Sequence, residues 1–151
     1  MGQIRSRAAA GFTLLELLVV LVLMALVYTV GLPMVSSGMP GTELKGAARQ
    51  LAAGLRKARS QAVTQKQEAA LTVDVEQHRF DVTGDKRSYA LPAKLEISLF
   101  TAQSELLRDK VGSIRFFPDG SSTGGRITVS QADRKYHVNV DWLTGQVAVL
   151  D

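Results

Sequence analysis

The sequence predicts an α+β protein: a long N-terminal helix, apolar in its first half and amphipathic in its second, packed on a C-terminal antiparallel β-sandwich-like head. Three observations carry that prediction. Residues 12–35 form an almost unbroken apolar run. Residues 42–67 carry an apolar stripe at helical spacing. From residue 69 onward apolar residues recur at every second position, in short runs parted by turn-forming residues.

The apolar run accounts for much of the 46% hydrophobic content. From Phe12 to Val35 it covers 24 residues with Glu16 as its one charge, and a bilayer needs about 20 apolar residues to be spanned. Arg5 and Arg7 precede it, and no base follows until Lys45. That asymmetry puts the N-terminus in the cytoplasm and the bulk of the chain outside. Pro33 lacks an N–H and clashes with the carbonyl four residues back, at Thr29, so with Gly31 it predicts a kinked or loosened helix. The string Ser36-Ser37-Gly38-Met39-Pro40-Gly41 reads as a joint.

In the second helix Leu44, Ala48, Leu51, Leu55, Ala58 and Ala62 make one stripe, with Thr42 as expected N-cap. Its many alanines allow close approach by whatever packs there. The same segment holds six bases, Lys45, Arg49, Arg56, Lys57, Arg59 and Lys66, against Glu43 and Glu68. They read as the solvated face of an amphipathic helix, with an acidic surface or DNA as the alternative ligand.

The head is expected as a hairpin of 70–75 and 78–82 around Glu76-Gln77, then strands at 94–99, 114–117, 126–129, 136–140 and 146–149. Turns fall at 83–86, 118–125, 131–134 and 144–145. Residues 83–113 match no motif.

Composition narrows the function. The absence of Cys excludes a disulfide framework and a thiolate metal site. The net charge is +4, but residues 69–151 hold ten bases and eleven acids. A head that close to neutral argues against nucleic-acid binding, which needs clustered cations. His78 and His137 have no metal-ligand companion at a telling spacing, and no cofactor is expected. Ser121, His137 and Asp141 supply the residue types of a triad, but a triad is defined by geometry. The Gly120–Gly125 loop lacks the Gly-Lys-Ser/Thr ending of a phosphate loop. It reads as an exposed loop that can contact a neighbour, through Asp119, Gly120, Ser121, Ser122 and Thr123. Trp142 reads as a core or hairpin anchor. No enzyme is indicated.

Glu16 is the unusual residue. A charge at the centre of a membrane helix costs about 2.5–3.5 kcal/mol, and secretory signal cores are uncharged and only ~7–15 residues long. A secretory signal cut near Ser37-Gly38, or a plain anchor, leaves Glu16 unexplained. Cleavage after Gly11 would free the amine of Phe12 one turn from Glu16, at i, i+4 spacing. Glu16 could equally meet that amine on a neighbouring subunit.

The string Gly11-Phe12-Thr13-Leu14-Leu15-Glu16 resembles the N-terminal signature of type IV pilins and type II secretion pseudopilins. The resemblance implies a leader at 1–11, prepilin peptidase cleavage between Gly11 and Phe12, N-methylation of Phe12, and a register-setting Glu16. Loss of Arg5 and Arg7 lowers the net charge from +4 to +2. The expected organisation is leader 1–11, transmembrane helix and filament core 12–35, joint and amphipathic helix 36–68, and periplasmic head 69–151. Phe116-Phe117-Pro118-Asp119-Gly120-Ser121 and Trp142-Leu143-Thr144-Gly145 resemble the C-terminal part of the minor pseudopilin H family and of FimT-type minor pilins. That resemblance implies a structural subunit of the inner membrane and pseudopilus, at or near the filament tip. Its implied partners are the other minor pseudopilins, the major pseudopilin, the inner-membrane assembly platform and secreted substrates. The alternative is a type IV pilus minor pilin acting in DNA uptake.

Overall fold

The computed structural model describes residues 12–36, 41–108 and 110–151, with side chains of the first helix described as far as Leu26. Contacts divide the chain into two compact units, Met1–Gly38 and Met39–Asp151.

In the first unit, α1 spans Leu14–Ser36. Helix continues through Gly31 and Pro33, so the proline does not terminate it; the expected joint falls largely on residues 37–40, outside the described residues. At 23 residues and 1.5 Å per residue, α1 is about 34 Å long, against about 30 Å of bilayer hydrocarbon. The side chains of α1 are described only as far as Leu26, and within that described stretch no helix is long and apolar enough to cross a membrane. Glu16 is the one charged residue in the sequence of α1.

The second unit opens with α2, Thr42–Gln65. Its N-cap is Gly41 rather than the expected Thr42, because the chain enters at φ 105°, a left-handed conformation that favours glycine. Lys66, at φ 55°, ends the helix. The predicted stripe is buried, and Ala47, Ala52 and Gly54 widen it. Gly54 has no room for a Cβ, which would stand 2.8 Å from Leu71 and Phe80.

Among the described residues nine strands follow: β1 (Ala69–Asp74), β2 (Arg79–Val82), β3 (Ser88–Ala90), β4 (Glu96–Thr101), β5 (Leu106–Arg108), β6 (Val111–Phe116), β7 (Gly125–Gln131), β8 (Arg134–Val140) and β9 (Val147–Leu150). They form two antiparallel sheets, ordered β3-β2-β1-β6-β5 and β4-β7-β8-β9. The first hairpin is as predicted, with Asp74 opposite Arg79 and the Asp74 carboxylate accepting the Glu76 and Gln77 N–H groups across the turn.

The core is shared between the two sheets and α2. Helix α2 lies against β1, β2 and β6 of one and β7, β8 and β9 of the other. Leu44, Leu51 and Leu55 meet Leu71, Val73, Phe80, Ile114, Phe116, Ile127 and Val129 in one cluster. The apolar stripe of α2 therefore bridges the two sheets, which also touch directly where Thr101 Oγ1 of β4 donates to Ser113 O of β6 at 2.8 Å. Strands β3 and β5 and a 3-10 turn at Gln103–Glu105 were not expected. They are three residues each, too short for alternation to declare itself. Strand β4 lies two residues later than expected, and β6 starts three residues earlier.

Candidate functional site

Two sets of residues concentrate the sequence signals. At the start of α1, Thr13 caps the helix. The Glu16 N–H donates to Thr13 O at 3.1 Å and to Thr13 Oγ1 at 3.3 Å, and the Leu17 N–H donates to Thr13 O at 3.2 Å. Thr13 is missing from the sequence-predicted site, although its spacing to Glu16 is that of a capping box. This cap fixes the first turn and so fixes where the Glu16 side chain leaves the helix. The carboxylate is exposed and has no salt-bridge partner among the described residues. Phe12 is 83% exposed, and every large apolar side chain from Leu14 to Leu26 is also exposed. A helix apolar on all sides needs cover from lipid or from other chains. Gly11, and with it the Gly11–Phe12 bond, lies outside the described residues, as do the side chains around Pro33.

The second set is the C-terminal pair of motifs, which the structure brings together. Ser122 N–H donates to Trp142 O at 2.8 Å, Ser122 Oγ donates to Asp141 O at 2.8 Å, and Thr123 Oγ1 accepts the Arg115 N–H at 3.1 Å. Gly145, at φ 62°, presses on the other motif so closely that a Cβ would lie 2.2 Å from Gly120 O. From α2, Arg59 donates to Gly120 O at 3.3 Å and to Thr144 O at 2.9 Å, and Arg56 donates to Val147 O at 3.3 Å. The two glycine-bearing motifs, far apart in sequence, are halves of one clasp on the helix.

This corrects the expectation of an exposed loop. Of its five residues Asp119 alone is exposed; Gly120 and Ser122 are buried, and Ser121 and Thr123 partly so. Backbone carbonyls that need partners draw the loop inward. Asp119 holds Ser121 through its side-chain oxygen, and those bonds keep its carboxyl below the usual carboxylate range. Asp141 is lowered in the same way by Thr144 and Leu143. Trp142 is also corrected. It is 65% exposed, and its Cβ and backbone, not its ring, close against Gly124.

The remaining chemistry disperses. Ser121 bonds to Asp119, His137 Nδ1 pairs with Thr128 Oγ1 at 2.9 Å, and Asp141 caps its own turn, so these three residues do not form a relay. His78 sits in the β1–β2 turn at φ 48°, with Nε2 2.9 Å from Leu95 O. No group of metal-binding side chains occurs among the described residues. Arg115 is tied to Glu68 at 2.8 Å and to the buried Glu105 at 3.2 Å, which raises its pKa, while Arg126 bonds Asn139. Arg115 is thus ion-paired within the head, whereas Arg126 is exposed and holds a neutral partner.

A capped apolar helix with an acid in its first turn, followed by a second helix laid against two antiparallel sheets, defines a pilin-like subunit. Comparison with known proteins specifies which kind. Residues 47–145 match the family model described as type II transport protein GspH, and residues 6–29 match the prokaryotic N-terminal methylation motif. The chain is 36% identical to the type II secretion system protein H of Xanthomonas campestris pv. campestris over 93% of its own length and 83% of that protein. Among solved structures, the minor pseudopilin EpsH of the Vibrio cholerae type 2 secretion system superposes with a TM-score of 0.57 at 16% identity, covering 72% of this chain and 96% of that one. The type IV minor pilin FimU of Pseudomonas aeruginosa gives 0.57 at 17%, covering 72% and 89%. The chain belongs to the GspH family, the type II secretion pseudopilins. It is a membrane-anchored subunit of the periplasmic pseudopilus.

Proposed function

We propose that the chain is made as a precursor cut between Gly11 and Phe12, methylated on the Phe12 amine, and held by α1 as a single span of the inner membrane with its head in the periplasm. Within this minor pseudopilin, α1 exchanges lipid for neighbouring helices when the filament assembles. Glu16 pairs with an N-terminal amine, its own or that of the adjacent subunit, and sets the axial register. Pro33 loosens the later part of the span. A subunit with this acid sits beneath another at or near the tip. There it helps to start assembly and export, in contact with the other minor pseudopilins, the major pseudopilin and the assembly platform, and with secreted substrates in reach of the head.

The observation that carries this reading is Glu16: an exposed carboxylate without an ion pair among the described residues, on the capped first turn of a helix otherwise bare and apolar. Such a charge enters a desolvated surroundings at acceptable cost only with a cation beside it. The mechanism is structural, and nothing in it requires a catalytic group or cofactor.

Deletion of the gene, scored for exoprotein release and for pilus-dependent motility or DNA uptake, tests the assignment. The expected result is lost secretion with motility and uptake intact. Lost motility or uptake with secretion intact would overturn this reading in favour of a type IV pilus role.

A further inference from the structure

The bases of α2 do two different jobs. Toward its C-terminal end Arg56 and Arg59 hold the clasp, and Lys57 pairs with Asp85. Toward its start, Lys45 and Arg49 are exposed, one turn apart on one helix face, with no ion pair among the described residues. They line a cleft of about 400 Å³ with Arg56, Tyr136 and the acidic Asp151. Arg134 stands two residues before Tyr136 on β8, and its guanidinium lies 2.7 Å from where a Gly41 Cβ would be. Lys45, Arg49 and Arg134 thus gather at the first two turns of α2. The nearby acids are Glu43 on α2, Asp133 in the turn before β8 and Asp151 after β9, and among the described residues none is within ion-pair distance of the three cations.

The tether gives this end its meaning. Only residues 37–41 separate Ser36, the end of α1, from Thr42. At full extension that allows roughly 20 Å. If α1 is in the bilayer, as the proposed function holds, the chain length alone keeps the first turns of α2 within roughly 20 Å of the end of α1, near the membrane surface.

We propose that Lys45, Arg49 and Arg134 form a docking surface for the anionic headgroups of the membrane in which the subunit waits before assembly. Each base near an anionic surface adds about fivefold to retention, and the attraction decays over about 10 Å at 0.1 M salt. Cations without internal partners suit a ligand that is released on assembly, because nothing in the head has to rearrange to free them.

The test uses the full chain, one copy per nanodisc, in phosphatidylcholine alone or mixed with phosphatidylglycerol, read by amide hydrogen exchange. Slower exchange over 41–50 and 131–136 in the anionic discs is expected, by about fivefold or more. High salt should abolish it, and so should the triple variant Lys45→Gln, Arg49→Gln, Arg134→Gln. The turn at 141–146 serves as an internal control and should not respond. Equal exchange in both lipids would overturn the proposal. So would slowing produced in phosphatidylcholine by inorganic phosphate, or slowing that requires a second pseudopilin subunit, which would assign the surface to a neighbour's acidic face. Failure of the chain to enter discs at all would remove the membrane reading itself, a distinct result seen before any exchange is measured.

Discussion

Helices α1 and α2 are nearly equal in length, 23 and 24 residues, yet they obtain their stability from opposite sources. The apolar side chains of α2 are covered by the chain's own sheets, and the alanines at 47, 48, 52, 58 and 62 bring the helix close to them. The large apolar side chains of α1 from Leu14 to Leu26 are exposed, covered by nothing among the described residues. One helix completes a fold, and the other is the part of the molecule that other molecules must complete. The difference follows from patterning: a stripe on one face of α2, and no polar face at all on α1.

The comparison is broken most sharply at Glu16. Removing one partner of a desolvated ion pair costs about 3–5 kcal/mol, so Glu16→Ala should nearly abolish incorporation into the pseudopilus. Secretion by a complemented deletion strain and the urea midpoint of the head, read together, check this: the first should fall and the second should not move. The converse change is Leu51→Ala in α2. It removes a fully buried side chain and should destabilise the head by about 2–5 kcal/mol, measured by urea unfolding. Leu18→Ala on the exposed face of α1 should leave that transition where it is.

Within α2 the two interior glycines sharpen the contrast. Gly54→Ala drives a methyl against Leu71 and Phe80 and should cost about 1–3 kcal/mol. Gly46→Ala meets nothing within 4 Å and should stabilise by about 0.5–1 kcal/mol. Thermal melts of the two variants should therefore shift in opposite directions.

The smallest effect is a pH dependence. Lys57 and then Tyr89 hydrogen-bond the Asp85 carboxylate and hold its pKa well below the ordinary value. The stability this contributes is present above the ordinary carboxylate value of about 3.9 and is lost as pH falls toward the depressed folded value. Asp85→Asn should therefore be less stable than the parent at neutral pH. The gap should close progressively below about pH 4, as urea midpoints across a pH series would register.

Much of this was legible in the sequence for a physical reason. Long patterned elements announce themselves: the apolar run, the stripe from Leu44 to Ala62, and the alternation in β1, β7 and β8. Three-residue strands such as β3 and β5 do not, since their pairing is imposed by β2 and β6. The site was legible in its types and not in its geometry. Gly120 and Gly145 read as two separate turns, whereas they abut, and Ser122 read as a surface hydroxyl, whereas it is buried between Asp141 O and Gly124 N. Trp142 was misplaced because residue type predicts burial only on average.

The bareness of α1 also bears on how such a filament could grow and shrink. Lipid tails are as apolar as leucine, so moving an all-apolar helix from bilayer to helix bundle gains little from the hydrophobic effect. A subunit of this kind, on the proposed reading, is neither trapped in the membrane nor locked into the polymer. The net direction of traffic would then rest on weak, local terms: one carboxylate meeting one amine, the close fit of side chains, and whatever work the cell applies at the base. A nearly level landscape of this sort makes retraction as accessible as extension.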